Sequence, residues 1–474
     1  MNRHWLIALA LGFAAGAAGA EDLQTVYDHA LAADPTMQQA DALHMATRET
    51  RTQAILDMLP LNANVSKNWT GVASNSSSTP ALGNLNLQVN LFSWSNWVAL
   101  KQANSTVAQG EANYLAAQQD LIVRVAQVYF GVLGAQDTLA AQESALRSVS
   151  RQLEQAERRY DVGLIAITDV QIARAARDSG NAAVIAAKRA LASAEEQLRA
   201  VTGEKYRQLS TPGDGMPLLA PDPASEDSWV STALSQNASL VANRMAEDIA
   251  HDQYLAAIGG HLPTISASAS RSWNLDDLSS KGTVVGQPGD PNTVINAINT
   301  QDILWSIGVT VPVFSAGATQ SRVRQAHYLW NASKSGYERT LRQTEQLARD
   351  SYQGVISQIA QVGALKQAVE SNQISLQATE AGYEVGTKTA IDVLSARQAL
   401  VQAQTNYAQA KYGYLSNIIT LRLAAGNLDR STIAQINSWL VQPPPPPTDA
   451  ADATPAAAAP AAPAATAPAA PGNP

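Results

Sequence analysis

Cysteine and histidine are the residues to weigh first, because thiolates and imidazoles carry most nucleophilic and metal chemistry. The chain has no cysteine, which excludes thiol catalysis, thiolate metal sites and a disulfide framework. Its six histidines (His4, His29, His44, His251, His261 and His327) are scattered, with none at metal-ligand spacing. There is no Gly-Lys-Ser/Thr loop to cradle a phosphate, so any energy must come from a partner. No acid/base or nucleophile set is visible, and the reading is of a non-enzyme without cofactors.

Polar residues of another kind recur in a pattern. Arg159 to Arg174 reads RYDVGLIAITDVQIAR, and Gly382 to Arg397 reads GYEVGTKTAIDVLSAR. Tyr160 matches Tyr383, Gly163 matches Gly386, Asp169 matches Asp392, Val170 matches Val393 and Arg174 matches Arg397, all at one constant offset. Chance accounts for one or two such matches, hardly for five. Gly163 and Gly386 read as turn residues, since glycine takes the positive φ that a sharp reversal of a long helix needs. Thr168-Asp169, and Tyr383 with Lys388, lie just past these turns, which puts both sets at one end of the molecule. From residue type alone, Thr168 or Asp169 reads as a helix N-cap and Asp392 as a surface acid in a first helical turn.

Long elements must hold these residues. Ser95 to Arg159 and Gly317 to Gly382 carry no proline and are rich in Ala, Gln, Leu, Glu and Arg, which predicts two helices. At 1.5 Å per residue each reaches on the order of 100 Å, longer than an ordinary globular domain. The return helices show heptads: Val393, Leu400, Tyr407, Tyr414 and Leu421, interleaved with Ala396, Ala403, Ala410 and Ala424. Val170, Val184, Leu191 and Leu198 hold the matching row in the first half, with Ala173, Ala187 and Ala194 between them and only Arg177 breaking it. Alternating large and small seam residues predict close coiled-coil packing.

The duplication extends beyond the turns. Tyr129-Phe130-Gly131-Val132 answers Tyr352-Gln353-Gly354-Val355, Gly203 answers Gly426, and VNLFS at Val89 answers VPVFS at Val311 with one residue inserted after it. A helix is expected around Met37 to Met58, then strands from Leu61 to about Thr70 and from Leu85 to Leu91, where apolar and polar residues alternate. In the second copy Ile265, Ala267 and Ala269 alternate with serines, and Trp305, Ile307, Val309, Val311 and Val313 form the next row. Leu59-Pro60 and Leu262-Pro263 open the two strand regions, and Ser74 to Pro80 and Leu275 to Gln301 read as polar loops. Such alternation suits a membrane barrel with a wet interior, and a soluble half-buried sheet is its other reading.

The ends are of a different character. Arg3 and His4 precede an apolar stretch from Trp5 to Phe13, and Ala18-Gly19-Ala20 follows, the layout of an export leader cleaved after Ala20. From about residue 441 to Pro474 the chain is mostly Pro and Ala, which cannot bury a core. The expected division is therefore a leader at 1–20, a first repeat at 21–227 (strands about 61–92, helices about 95–202), a second at 228–440 (strands about 262–314, helices about 317–425) and a tail at 441–474. No later segment reaches the roughly 20 apolar residues of a spanning helix. A net charge of -8 argues against nucleic acid as a partner.

Four strands cannot close a barrel around water, since the smallest membrane barrels use about eight. Two copies give a filled barrel, and three are the fewest that leave a channel. The order helix, strand, strand, long helix, return helix, given twice, with Tyr-x-Val-Gly followed by Asp-Val, resembles the TolC-like outer-membrane efflux proteins from about Leu23 to Trp439. The absence of a Cys after the leader is similar to the unlipidated branch of that family.

The resemblance implies a mixed fold, an all-α coiled coil joined to a transmembrane β-barrel. It implies a homotrimer with a twelve-stranded barrel in outer-membrane lipid above an α-helical tunnel. The partners implied are a periplasmic adaptor (a membrane fusion protein) and an inner-membrane transporter. The expected role is passive exit duct of a tripartite efflux pump or type I secretion system, with a periplasmic adaptor or a structural envelope coiled coil as the alternatives. It further implies that Thr168, Asp169, Tyr383 and Lys388 latch the tunnel entrance and that Asp392 lines a constriction ring. The family's second ring acid falls at Ser395 here, so one ring with weaker cation selectivity is expected.

Overall fold

The structure, a computed structural model, describes residues 20–58, 61–66, 69–72, 75–78, 82–213, 215–274 and 303–442. The expected leader up to residue 19, Leu59-Pro60, the loop Leu275 to Gln301 and the tail from Pro443 lie outside the described residues.

Each repeat begins with a short helix and a longer one. α1 (Leu23–Ala33) is capped by Asp22, whose carboxylate accepts the Thr25 N–H at 2.8 Å, and α2 (Pro35–Leu56) by Asp34, with Pro35 spending no donor at the first position. The strands β1 (Leu61–Ser66), β2 (Trp69–Val72), β3 (Asn75–Ser78) and β4 (Leu82–Phe92) lead into α3 (Trp94–Asp161) and α4 (Ile167–Thr202). A two-residue strand β5 (Thr211–Pro212) follows. The second repeat runs α5 (Glu226–Gln236), α6 (Ala238–Gly259), β6 (Thr264–Asn274), β7 (Leu304–Thr310), α7 (Ala318–Glu384) and α8 (Ala390–Ala425), then closes with α9 (Arg430–Asn437) and β8 (Leu440–Val441). α1 and α5 have 11 residues each, α2 and α6 have 22, and α4 and α8 have 36, so the duplication is kept almost residue for residue.

Left-handed glycines end the helices where the repeat expects them. Gly163 has φ +75° and Gly386 φ +79°, at the hairpin tips, while Gly203 and Gly426 close α4 and α8 at +75° and +76°. At each tip the next residue folds back onto the helix: Leu164 N–H donates to Arg159 O and Thr387 N–H to Gly382 O, both at 2.8 Å.

The strands form one antiparallel sheet in the order β1-β4-β6-β7, with Leu61 opposite Leu87, Leu87 opposite Ala269 and Ala267 opposite Ile307. The helices adjoin in the same order, α2 on α3, α3 on α6 and α6 on α7. Among the described residues both walls are open-edged, at β1 and α2 on one side and β7 and α7 on the other. Two expectations need correction. Part of the supposed loop Ser74 to Pro80 is strand, since β2 and β3 pair as a ribbon with Val72 opposite Asn75. The row ending at Val313 stops at Thr310, because Pro312 has no N–H to give a ladder.

The heptad rows are seams as expected. Val170, Ala173, Val184 and Leu198 are buried in the first hairpin, and Val393, Leu400, Ala403, Ala410, Tyr414 and Leu421 in the second. The largest core lies midway along the helices, where α1, α3, α8 and α9 meet around Leu23, Tyr129, Leu133, Tyr412, Leu415 and Ile436. Tyr129 donates its hydroxyl to Ser210 O at 2.7 Å, and burial pushes its phenol well above the usual range, so it stays neutral. This belt also joins the first of the described residues to the last. Asn437 Nδ2 donates to Asp22 at 2.8 Å, its Oδ1 accepts the Leu23 N–H at 3.1 Å across 414 residues, and Arg430 pairs with Asp28. None of the described helices is long and apolar enough to cross a membrane.

Candidate functional site

The repeated motifs lie at the hairpin tips, the end farthest along α3 and α7 from the sheet. Thr168 and Asp169 occupy the first turn of α4, and Lys388 the short loop before α8. Tyr383 is not past its turn: it sits in the last turn of α7, ahead of Gly386. Among the described residues, Thr168 and Asp169 make no hydrogen bond to Tyr383 or Lys388 within the chain. The Tyr383 ring instead faces the Arg159 guanidinium, 5.6 Å from the ring centre, a cation–π contact between the two hairpins.

The two tips differ in how their return helices are capped. α8 opens with a capping box: Thr389 Oγ1 accepts the Asp392 N–H at 3.2 Å, and Asp392 Oδ2 accepts the Thr389 N–H at 2.9 Å and its hydroxyl at 2.8 Å. These bonds from the Thr389 backbone and side chain, helped by the Lys388 charge, hold the Asp392 carboxyl below the usual aspartate range. In α4 the N-cap position is Ala166, which has no side chain to give, and neither Thr168 nor Asp169 takes that part. The N-cap reading of those two residues is thereby overturned, and the Asp169 carboxylate stays free of its own backbone. Thr-x-x-Asp is a capping signature that sequence reasoning overlooked at Thr389. Ser395, three residues beyond Asp392, lies in the first turns of α8 and makes no side-chain hydrogen bond among the described residues.

Two further ion pairs repeat with the motif. Arg174 reaches back to Glu157 at 3.0 Å across the first hairpin, and Arg397 to Glu380 across the second. The aligned arginines were the signal, and their acidic partners went unread. The first arginine side chain is 48% exposed and the second only 13%, because the second lies in a cleft between α3 and the α7/α8 hairpin. Arg159, Gln152, Glu380, Tyr383, Val393 and Arg397 line that cleft. Arg397 Nη1 and Gln152 Oε1 are buried there without a hydrogen-bond partner, one donor and one acceptor. No group of His, Asp and Glu able to hold a metal occurs among the described residues.

The outer membrane efflux protein family model matches residues 26–204 and 229–427, once per repeat. The chain is 32% identical to the outer membrane protein TolC of Vibrio cholerae serotype O1 over 443 residues, covering 92% of this chain and 97% of that one. It is 26% identical to the alkaline protease secretion protein AprF of Pseudomonas aeruginosa, over 86% of this chain and 85% of the other. Among solved structures, the outer membrane protein VceC of Vibrio cholerae superposes with a TM-score of 0.68 at 21% identity, covering 85% of this chain and 96% of that one.

Proposed function

The chain belongs to the outer membrane efflux protein family, an outer-membrane transport protein and not an enzyme, and on that premise we propose that three copies assemble into one continuous exit duct. The observation that carries this is the open-edged wall. β7 has every residue exposed, and neither β7 nor β1 pairs on its outer side among the described residues. Unpaired strand edges in lipid are untenable, so the four strands need other strands, and three copies close a barrel of about twelve with room for water. The helical hairpins then continue the duct as a tunnel. Its cargo is that of an efflux pump or a type I secretion system, the second in line with the name of the protease secretion relative. An adaptor would show one hairpin and a pore-less envelope protein would not need an open sheet edge, so neither alternative is retained.

In this reading the repeats meet ahead of α5, whose cap Ser225 answers Asp22 of α1, and the second ends with β8. The cleft between the hairpins, with its unpartnered Arg397 and Gln152 atoms, suits the coiled-coil side chains of a periplasmic adaptor, and the adaptor in turn brings the inner-membrane transporter. Thr168, Asp169, Tyr383 and Lys388 form the latch when neighbouring hairpins converge, and Asp392 rings the entrance.

Planar-bilayer recording from the purified assembly tests this directly. The double variant Tyr383→Phe, Lys388→Ala removes bonds of about 1 kcal/mol in each of three copies, about 3 kcal/mol in all, and a small resting open fraction should rise on the order of a hundredfold. A bilayer that stays silent with both wild type and variant ends the duct reading. Asp392→Ala should lower the preference for cations over anions, read from the reversal potential in a salt gradient. An unmoved reversal potential would take Asp392 out of the constriction.

A further inference from the structure

The internal duplication contains a worked example of a contact that the isolated chain leaves unmade. The two repeats join along the seam of α3 against α6. There Lys101 Nζ donates to Asp252 Oδ1 at 2.8 Å, and Gln109 Nε2 donates to Ala242 O at 3.4 Å. Asp252 is fully buried, with Lys101 as its main counter-charge.

Carrying that seam through the repeat gives the outer edges of the wall. Lys101-Gln102-Ala103 in α3 corresponds to Arg324-Gln325-Ala326 in α7, at the same offset that relates the hairpin-tip motifs. Asp252 in α6 corresponds to Glu49 in α2, at the offset that relates the helix caps Asn237 and Asp34. The basic residue stays basic and the acid stays acid. Neither Arg324 nor Glu49 has an ion-pair or hydrogen-bond partner among the described residues, and both are exposed. The faces around them behave likewise. Gln102 and Ser105 are half-buried on α3, whereas their counterparts Gln325 and Tyr328 are exposed on α7. Gly259 is buried, whereas its counterpart Leu56 on α2 is 64% exposed.

We infer that the α7 face around Arg324 binds the α2 face around Glu49 of a second copy of this chain, and that Arg324 and Glu49 form the intermolecular counterpart of the Lys101–Asp252 pair. The inference rests on the assembly proposed above and specifies its seam. Three such pairs ring the helical wall just below the sheet. Each closes over an acid that, like Asp252, loses its water on assembly. A wrongly registered neighbour leaves that acid unpaired, so the pair fixes register as well as adding attraction.

Charge reversal in the full-length protein tests the pairing. Glu49→Arg and Arg324→Glu should each leave roughly tenfold less trimer after mild heating in detergent, because like charges then meet in every seam. The double reversal should return the trimer to near the wild-type amount. If reversal blocks assembly altogether, Glu49→Gln and Arg324→Gln replace it, and the double neutral variant should be no weaker than either single one. The absence of native cysteine gives a second readout: Glu49→Cys with Arg324→Cys, joined by a short bismaleimide, should yield covalent dimers and trimers, and either cysteine alone should yield none of the trimer. A threefold assembly indifferent to reversal, or a Cys pair that does not cross-link in an intact trimer, overturns the pairing and leaves the duct standing. A wild-type protein that is not threefold overturns the duct reading and the pairing with it.

Discussion

Gly426→Ala should prevent the protein from reaching its assembled state, while Gly203→Ala, the same change at the equivalent position of the other repeat, should be tolerated. Both glycines are left-handed, so alanine costs about 1–2 kcal/mol at either from backbone conformation alone. The surroundings separate them. A methyl group on Gly203 would lie 3.5 Å from the Ala33 Cβ, an ordinary contact, whereas on Gly426 it would lie 2.4 Å from the carbonyl carbon and oxygen of Gln236. Those atoms belong to the α5–α6 junction. The next residue, Asn237, caps α6 and also donates to Ala424 O at 3.1 Å, so the junction cannot retreat without losing both roles. The combined effect should be roughly 4 kcal/mol or more, the range of severe backbone overpacking. The amount of heat-resistant oligomer recovered from the outer membrane measures it, and equal recovery of the two variants would contradict the account.

The second large effect concerns the seam between the repeats. Lys101→Met keeps the length and apolar stem of the side chain but leaves Asp252, fully buried and with Oδ2 already lacking a partner, without its counter-charge. Orphaning a buried ion is far costlier than losing an ion pair from a surface. The loss should be about 3 kcal/mol, the low end of the range for such sites because Lys101 itself is 63% exposed and the site is close to water. His251 Nδ1, 3.9 Å away, is too distant to take over. Adding Asp252→Leu should recover most of the loss, because the second change removes the charge that the first stranded. Urea unfolding of the detergent-solubilised protein reads both. A single variant within 0.5 kcal/mol or so of wild type would mean that Asp252 is hydrated after all.

Most of the helical frame was readable in the residues. Gly163, Gly386, Gly203 and Gly426 mark helix ends because few other residues take a left-handed φ cheaply, and the heptad rows fixed which faces meet. The failures have physical causes. The serine-rich segment after Ser74 carries turn chemistry, yet part of it pairs as β3, since backbone pairing does not depend on apolar side chains. The apolar row through Val313 looked like strand on its side chains, and Pro312 ended it on its backbone. The belt helix α9 and the ribbon β5–β8 are too short to leave a periodic signal. At the tips, the motif residues were found but their partners were not: Thr389 holds Asp392 and Arg159 faces Tyr383. The first of these was legible as Thr-x-x-Asp spacing and was overlooked, whereas the second joins residues on different helices, where spacing along the chain says little. The latch residues do not meet within one chain, and no reading of a single sequence fixes what neighbouring copies do.

The belt has a consequence for biogenesis. Asp22 and Leu23, near the start of the described residues, find their partner Asn437 close to the end of them, and Asp28 finds Arg430 there too. α1 packs on α3 and α4 of its own repeat, but its fastening to α9 has to wait while the chain is still being translocated. Nearly all of it must emerge first, and until then the long amphipathic helices lack the core that unites them. Contacts so distant in sequence form late and slowly. Maturation is thus tied to completeness: a chain truncated ahead of α9 is left with an unfastened belt.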